Sequence, residues 1–215
     1  IGYCLKLESE WHPLCQNGYD SCTDEQVAWA MSVIAEVSDK VGAPTDTVAV
    51  AAMTLGTAIG NPTSLQTPWS VDDFFLLPAA CVLDAVSRNP SVFTFTLETV
   101  IDTMASVMAA RSDASSEMRT ADIKARLVEL QPMVELAVSD GHHWAGPMEF
   151  IPELIRQSGI HNTHPKREVR AIKEEAAALV RSAVLDGMFG SLPPSKVACS
   201  AFFGATGVLI NFADE

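Results

Sequence analysis

The side chains that could do chemistry form no recognisable catalytic pattern. His142 and His143 are adjacent, Trp144 follows them, and Asp140 lies just before them. A metal site or an acid–base pair at this point would need further ligands or partners. Adjacent histidines also point in different directions in most backbones. We therefore interpret this segment as a polar loop.

Other reactive residue types have ordinary structural interpretations. The adjacent carboxylates Asp72 and Asp73 are expected near a helix start, where the helix dipole favours negative charge. Ser195 lacks the Gly-x-Ser-x-Gly context of a nucleophile elbow. The Gly-Ala-Thr-Gly segment at 204–207 lacks the lysine of a phosphate-binding loop. We predict a protein that is not an enzyme and that uses no cofactor or metal.

The composition disfavours nucleic acid as a partner. The 215 residues are 48% hydrophobic and 19% charged, with 27 acidic and 14 basic side chains and a net charge of -13. Phosphate contacts need clustered lysine and arginine. One stretch is locally basic, with Lys166, Arg167, Arg170 and Lys173, but it also carries glutamates, which favours a solvated helix face. The low charge suggests apolar surface reserved for a protein partner.

The five cysteines indicate a reducing, intracellular environment. Cys81 and Cys199 lie in apolar helical runs, where we expect buried thiols, while Cys4, Cys15 and Cys22 lie in an irregular N-terminal stretch. No pair has the Cys-x-x-Cys spacing of a zinc site, and one disulfide among the first three cysteines remains an alternative. No apolar run is long enough to span a bilayer, and no secretory signal is visible. Because the chain starts with isoleucine, it is expected to be a fragment or a processed form.

Helical periodicity dominates the sequence, so we predict an all-α fold. Thr23 and Gln26 form a capping box that starts a first helix, and Gly42 ends it. The segment from Leu76 to Val86 is apolar nearly all round, which is typical of a helix surrounded by others. Pro78 is expected in the first turn of that helix.

Besides a short helix after Pro147, five further helices are predicted. The core positions of the second are Val48, Ala51, Ala52, Leu55 and Ile59; those of the fourth are Leu97, Ile101, Met104 and Met108; those of the fifth are Ile123, Leu127, Leu130 and Val134. An amphipathic helix runs from Pro165 to about Leu185. After it, Pro193 and Pro194 start a last helix whose small and apolar side chains predict burial.

Six segments carry a family resemblance through their order and spacing. They are Trp11 upstream of the first helix, Thr47–Leu55, Thr63–Leu65, Leu77–Pro90, Leu127–Val138 and Leu192–Cys199. Together they resemble the cyclin box, most closely the transcriptional cyclins of the T, K and L type. The last segment is similar to the Pro-Pro-x-x-Val-Ala stretch that opens the second helix of the second cyclin repeat.

The resemblance implies a cyclin-like five-helix box followed by a truncated second cyclin-like repeat. The expected division is an irregular N-terminal segment over 1–22, a first cyclin-like domain over 23–157, a linker over 158–164 and a partial second repeat over 165–215.

The resemblance also implies a partner-binding surface. Cyclins engage the regulatory helix of a kinase through a lysine at the end of the third helix and a glutamate in the fifth. The lysine position falls on Ala85, and the glutamate position falls on Glu129. The predicted partner-binding set is Glu129, Ala85, Asp84, Arg88, Val82 and Leu83. Loss of the lysine removes charge-assisted hydrogen bonds of about 1.5–3 kcal/mol each, so restoring lysine at Ala85 is expected to tighten a kinase complex.

Two functional hypotheses follow, and a third is disfavoured. The first is a regulatory subunit of a cyclin-dependent kinase of the transcriptional type, with the nucleus as its implied compartment; it requires an exposed apolar groove between the third and fifth helices. The second is a repurposed cyclin fold acting as a scaffold in a multi-subunit assembly, with the surroundings of Ala85 filled by other groups. A relative of general transcription factors that touches nucleic acid conflicts with the acidic charge. Glu129 itself could bind a partner or pair with Arg126, one turn away.

Overall fold

The computed structural model describes residues 5–6, 20, 22–60, 70–88, 96–112, 119–138, 145–187 and 192–213. The helices of this part of the chain are named here α1 (Asp24–Lys40), α2 (Thr45–Gly60), α3 (Val71–Arg88), α4 (Leu97–Arg111), α5 (Thr120–Ala137), α6 (Pro147–Gln157), α7 (Ile160–Thr163), α8 (Lys166–Leu185) and α9 (Pro194–Ala213). These ranges contain no β-strand, which confirms the all-α prediction. The arrangement as a cyclin-like box and a truncated repeat stays a prediction.

Helix α1 begins and ends where the sequence predicts. The Gln26 backbone N–H donates to Thr23 Oγ1 at 3.3 Å, and the Thr23 N–H donates to Gln26 Oε1 at 2.9 Å. This reciprocal pair satisfies two N–H groups that the first turn would otherwise leave without partners. Beyond the C-terminus, Gly42 has a φ of 64°, a left-handed conformation that glycine adopts without steric cost. The capping box and the stop at Gly42 are confirmed.

Helix α3 is the central element of the core. Every residue from Leu76 to Val86 is buried, and the helix contacts α1, α2, α4 and α5. The prediction of a helix surrounded by others is therefore confirmed.

The position of Pro78 within α3 was predicted wrongly. The helix begins at Val71, preceded by Ser70, whose hydroxyl accepts from the Asp73 N–H at 3.1 Å while its own N–H donates to Asp73 Oδ2 at 3.0 Å. This capping pair fixes the start well before Pro78, which lies inside the helix. Proline removes one backbone hydrogen bond, and burial of the surrounding side chains offsets that loss.

Helices α4 and α5 face the core largely as predicted. Ile101, Met104 and Met108 are buried in α4, and all four predicted core residues of α5 are fully buried. Leu97 is the exception, since it is 44% exposed. Thr96 caps α4, so Leu97 is the first helical residue and lies at the helix end rather than beneath its neighbours.

The C-terminal helices share the same core as the first helices. Helix α8 packs on α1, α2, α6 and α9, and α9 also packs on α6. The buried side chains of α9 include Val197, Ala198, Ala201, Phe202 and Ala205, which confirms a buried helix after the double proline. The predicted linker contains the short helix α7 and Gly159, with a φ of 73°. The division into two repeats stays a prediction.

The thiols and the apolar helices agree with parts of the sequence interpretation. Cys81 is buried, Cys22 and Cys199 are half-buried, and all three are free; Cys4 and Cys15 lie outside the described residues. Burial raises the pKa of the Cys81 thiol well above its usual value.

Among the helices described, none combines the length and apolar character needed to cross a membrane.

Two buried hydroxyls provide a stability prediction. The side chains of Ser38 in α1 and Thr54 in α2 are fully buried, and neither hydroxyl has a hydrogen-bond partner among the residues that the structure describes. A buried polar group without a partner keeps its desolvation cost. Ser38→Ala and Thr54→Val are each expected to raise the free energy of unfolding by about 0.5–1 kcal/mol, as measured by urea denaturation.

Ser32 supplies the control for that experiment. Its hydroxyl donates to the Trp29 carbonyl at 2.6 Å and accepts from Arg111 Nη1 at 2.9 Å. Ser32→Ala should therefore lower stability. A stability loss at Ser38 or Thr54 as large as that at Ser32 would contradict the assignment of unpartnered hydroxyls.

Candidate partner-binding surface

The structure describes only some of the residues considered for catalysis. Asp72 and Asp73 lie in the first turn of α3, as predicted. The segment containing Asp140, His142 and His143 lies outside the described residues. Within the described ranges, no group of three or more histidine, cysteine, aspartate or glutamate side chains could hold a metal ion.

Burial divides the six predicted partner-binding residues into two groups. Val82, Leu83, Asp84 and Ala85 are each at most 4% exposed. Arg88 and Glu129 are exposed. A buried side chain has no surface to offer, so direct contact with a partner is limited here to Arg88 and Glu129. A lysine at position 85 would start inside the core rather than reach a partner. Partner binding itself stays a prediction for this set.

Arg88 covers the buried carboxylate of Asp84 at the end of α3. Its Nε–H donates to Asp84 Oδ2 at 2.8 Å. Burial raises the pKa of Asp84 and Glu135 adds to that effect, while Arg88 opposes it. Gln131 Nε2 donates to Ser87 Oγ at 3.2 Å, which ties this end of α3 to α5. The arginine is thereby held at the junction of the two helices.

Glu129 is held by Arg126, the structural alternative considered for it. Arg126 Nη1 donates to Glu129 Oε2 at 2.7 Å, and Arg126 Nη2 lies 2.6 Å from Asp73 Oδ1. The Asp73 side chain is 5% exposed, whereas that of Glu129 is 63% exposed. One arginine therefore links the start of α3 to an accessible carboxylate on α5. Pairing with Arg126 leaves Glu129 accessible to a partner as well.

The most distinctive feature of the surface is that α5 is apolar on two opposite sides. Its inner side is made of Ile123, Leu127, Leu130, Val134 and Ala137, all fully buried. Its outer side carries five exposed apolar residues at helical spacing, named here the α5 outer stripe: Ala121, Ala125, Val128, Pro132 and Leu136. Val128 is 49% and Leu136 is 61% exposed. A surface helix normally carries polar residues on that side, so the stripe marks a candidate interaction surface.

Acidic side chains border the α5 outer stripe. Helical geometry, at about 100° per residue, places Asp122 and Glu129 along one side of the stripe and Glu135 along the other. All three are exposed. Lys124 also lies on the Glu135 side, where it pairs with Glu98 and Asp102 of α4. The rim therefore stays predominantly acidic, which suits an amphipathic helix with basic flanks.

The groove expected between α3 and α5 is not formed by α3. Because α3 is buried from Leu76 to Val86, it exposes no apolar side chain beside α5 over that length. The sequence interpretation missed the α5 outer stripe because it assigned only one face to the helix. The signal was present, since Ala121, Ala125, Val128, Pro132 and Leu136 recur at intervals of three and four residues.

Two surface cavities lie on other helices. One, of about 460 Å³, is lined mainly by apolar side chains of α1, α2 and α3 that include Trp29, Phe74 and Phe75. The rings of Trp29 and Phe75 are 5.6 Å apart. The other, of about 630 Å³, lies between α1 and the end of α8, with Asp24 and Asp186 in its lining. Neither contains a residue of the predicted partner-binding set.

Comparison with known proteins adds no family: no protein-family model matches the chain, and no curated protein matches it.

The Asp73–Arg126 contact makes a pH-dependent stability prediction. Burial alone would raise the pKa of Asp73, but hydrogen bonds with Ser70 and Arg126 outweigh it and lower the pKa below its usual value. A carboxyl group with a lowered folded-state pKa stabilises the fold above its unfolded pKa of about 3.9, and that stability is lost as pH falls through the folded value. Asp73→Asn is expected to cost about 1–2 kcal/mol at pH ~7, and the difference should vanish at acid pH.

Asp72 provides the control for this prediction, because it lies in the same turn and is exposed. Asp72→Asn should change stability by less than about 0.5 kcal/mol at either pH. Thermal unfolding of the three proteins across the pH range is the measurement. A stability loss in Asp73→Asn that is just as large at acid pH would contradict an electrostatic origin of the stabilisation.

Proposed function

We propose that this protein is a non-catalytic, cyclin-like regulatory subunit that binds a protein partner through the α5 outer stripe. The observation that carries the proposal is the second, exposed apolar face of α5, bordered by Glu129. For the partner we propose a cyclin-dependent kinase of the transcriptional type, on the sequence resemblance given above, with the α5 outer stripe in place of the groove expected between α3 and α5. The nucleus is the compartment that this proposal implies.

The stripe has the composition of a helix-docking surface. Burying a large apolar side chain contributes about 1.5–3 kcal/mol, and Val128 and Leu136 both have about half or more of their surface to bury. Glu129 and Glu135 can accept hydrogen bonds from basic side chains at the edge of the docked helix. Such a contact would hold the regulatory helix of a kinase in the position where its lysine–glutamate pair assembles.

Arg88 is the residue we propose for the role that lysine has in related cyclins. Its guanidinium carries five N–H donors, and the Nε–H is the one that binds Asp84. The donors on the terminal nitrogens can reach backbone carbonyls of a partner at the α3–α5 junction. Asp84 would then act as a positioning residue, fixing Arg88 from within the core.

A scaffold role in a multi-subunit assembly is the second candidate, and one observation favours it. The surroundings of Ala85 are filled by the protein itself, since Ala85 is only 4% exposed. That is the arrangement expected of a cyclin fold without a kinase. In this case the α5 outer stripe would bind a subunit of the assembly instead.

Affinity purification of the tagged full chain from its own cells, followed by mass spectrometry, tests the proposal. A cyclin-dependent kinase at near-equal stoichiometry supports the regulatory role. A reproducible set of other subunits without a kinase supports the scaffold role and overturns the kinase proposal. Recovery of the chain alone would contradict both.

A further inference from the structure

A second surface stands out by its charge rather than its apolar character. Lys166, Arg167, Arg170 and Lys173 are all exposed at the beginning of α8. They hold four of the 14 basic side chains of a chain with 27 acidic ones. Lys166, Arg170 and Lys173 follow one another at intervals of four and three residues, so they line one side of the helix. We name Lys166, Arg167, Arg170 and Lys173 together the α8 basic stripe.

Most of this positive charge is not used within the described structure. Arg170 pairs with Glu174 at 2.8 Å. Lys166, Arg167 and Lys173 have no ion pair among the described residues, and the same holds for the separate cations Lys40, Arg119 and Lys196. The other cations that have one include Arg88, Arg111, Lys124, Arg126, Arg156 and Arg181. The beginning of α8 therefore gathers three cations that no described carboxylate pairs, and this charge is available to another molecule.

Local helix stability does not explain the placement of these charges. Lys166 and Arg167 are the first two residues of α8, and the Pro165 that precedes them supplies no side-chain cap. The positive end of the helix dipole lies there and favours acidic residues such as Glu168, whereas Lys166 and Arg167 oppose it. Residues that break a local rule without a compensating contact often serve function.

We infer that the α8 basic stripe is a docking surface for a short acidic segment of a partner protein. From Lys166 to Lys173 the helix rises about 10 Å, a length that a few carboxylates on a helix or an extended strand can match. A nucleic acid needs a longer basic track, and the net charge of -13 opposes a long polyanion beyond the stripe. This surface is separate from the α5 outer stripe and does not depend on it.

The test uses the full chain and a fluorescein-labelled oligoglutamate peptide, with binding followed by anisotropy. At ~0.1 M salt the Debye length is about 10 Å, so distant acidic charges are screened while contact pairs persist. The variant Lys166→Glu/Arg167→Glu/Lys173→Glu should lose ~tenfold or more in affinity. Glutamates at 166 and 167 suit the first turn of the helix and Lys173 is exposed, so thermal stability should stay close to that of the unmodified chain, and unfolding cannot explain the loss.

A matched control changes the net charge by the same amount elsewhere. Lys40, Arg119 and Lys196 are exposed and also lack an ion pair among the described residues. Lys40→Glu/Arg119→Glu/Lys196→Glu should keep most of the peptide affinity. Equal losses of peptide affinity in the two triple variants would overturn the inference. It would also be overturned if the unmodified chain did not bind the peptide. Tighter binding of an oligothymidine through the same three residues would also overturn it, in favour of nucleic acid.

Discussion

Replacing Ala85 by lysine is expected to lower the free energy of unfolding by about 2–4 kcal/mol. Ala85 is 4% exposed in the part of α3 that other helices surround, so the new ammonium group would start in the core and lose its hydration. The adjacent Asp84 is already paired with Arg88, which leaves little compensation. Urea denaturation followed by circular dichroism measures the effect.

Two controls make the Ala85 result specific. Ala125 is an exposed helical alanine on α5, so Ala125→Lys should change stability by less than about 0.5 kcal/mol. The loss of unfolding free energy in Ala85→Lys should also shrink as pH rises, because a neutral lysine costs less free energy to bury than a charged one. The resemblance to cyclins alone predicted a tighter kinase complex for this variant. A fully stable Ala85→Lys protein that binds its partner more tightly would restore that prediction and contradict the burial argument.

The double variant Val128→Asp/Leu136→Asp is expected to weaken partner binding by about a hundredfold or more. Each replacement removes about half of the ~1.5–3 kcal/mol that full burial of an apolar side chain contributes, because Val128 is 49% and Leu136 is 61% exposed, and it adds a charge that binding would bury. A change of about 1.4 kcal/mol corresponds to a factor of ten. Both residues are exposed in the free protein, so the fold should be preserved. Titration of the partner recovered by affinity purification measures the loss.

Leu97 and Phe203 supply the control for the α5 double variant. They are 44% and 68% exposed and lie on α4 and α9. Leu97→Asp/Phe203→Asp makes the same chemical change at a similar exposure, yet it should leave partner affinity within about twofold, a change that surface substitutions away from a contact typically produce. Equal losses in the two double variants would mean that general surface hydrophobicity, rather than the α5 outer stripe, drives binding.

Much of the fold was readable from local sequence rules. The Thr23–Gln26 capping box and the burial of Leu76 to Val86 follow from hydrogen bonding at helix ends and from the absence of a polar face. Pro78 was misplaced because proline preference for first turns is statistical, whereas the Ser70–Asp73 capping pair is specific. Leu97 was misassigned because periodicity does not indicate where the neighbouring helices end.

The candidate site was less predictable from the sequence, because the position of a residue in the family pattern does not determine whether its side chain is exposed. The resemblance placed five contact residues on α3, and packing against α1, α2, α4 and α5 buries four of them. Only the assembled helices show that α3 has no exposed side from Leu76 to Val86. The α5 outer stripe, in contrast, was present in the sequence as a second set of apolar residues at helical spacing. Either set could face the core, and only the helices packed around Leu127 and Val128 decide between them.

The most direct test of partner docking on α5 is hydroxyl-radical footprinting of the chain with and without the partner recovered by affinity purification. Oxidation of Leu136 and Val128 should fall strongly when the partner binds, since both would be covered. Oxidation of Phe203, which is 68% exposed on α9, should stay unchanged. Protection of Phe203 with no change at Leu136 and Val128 would place the partner elsewhere and contradict the proposal that α5 is the docking helix.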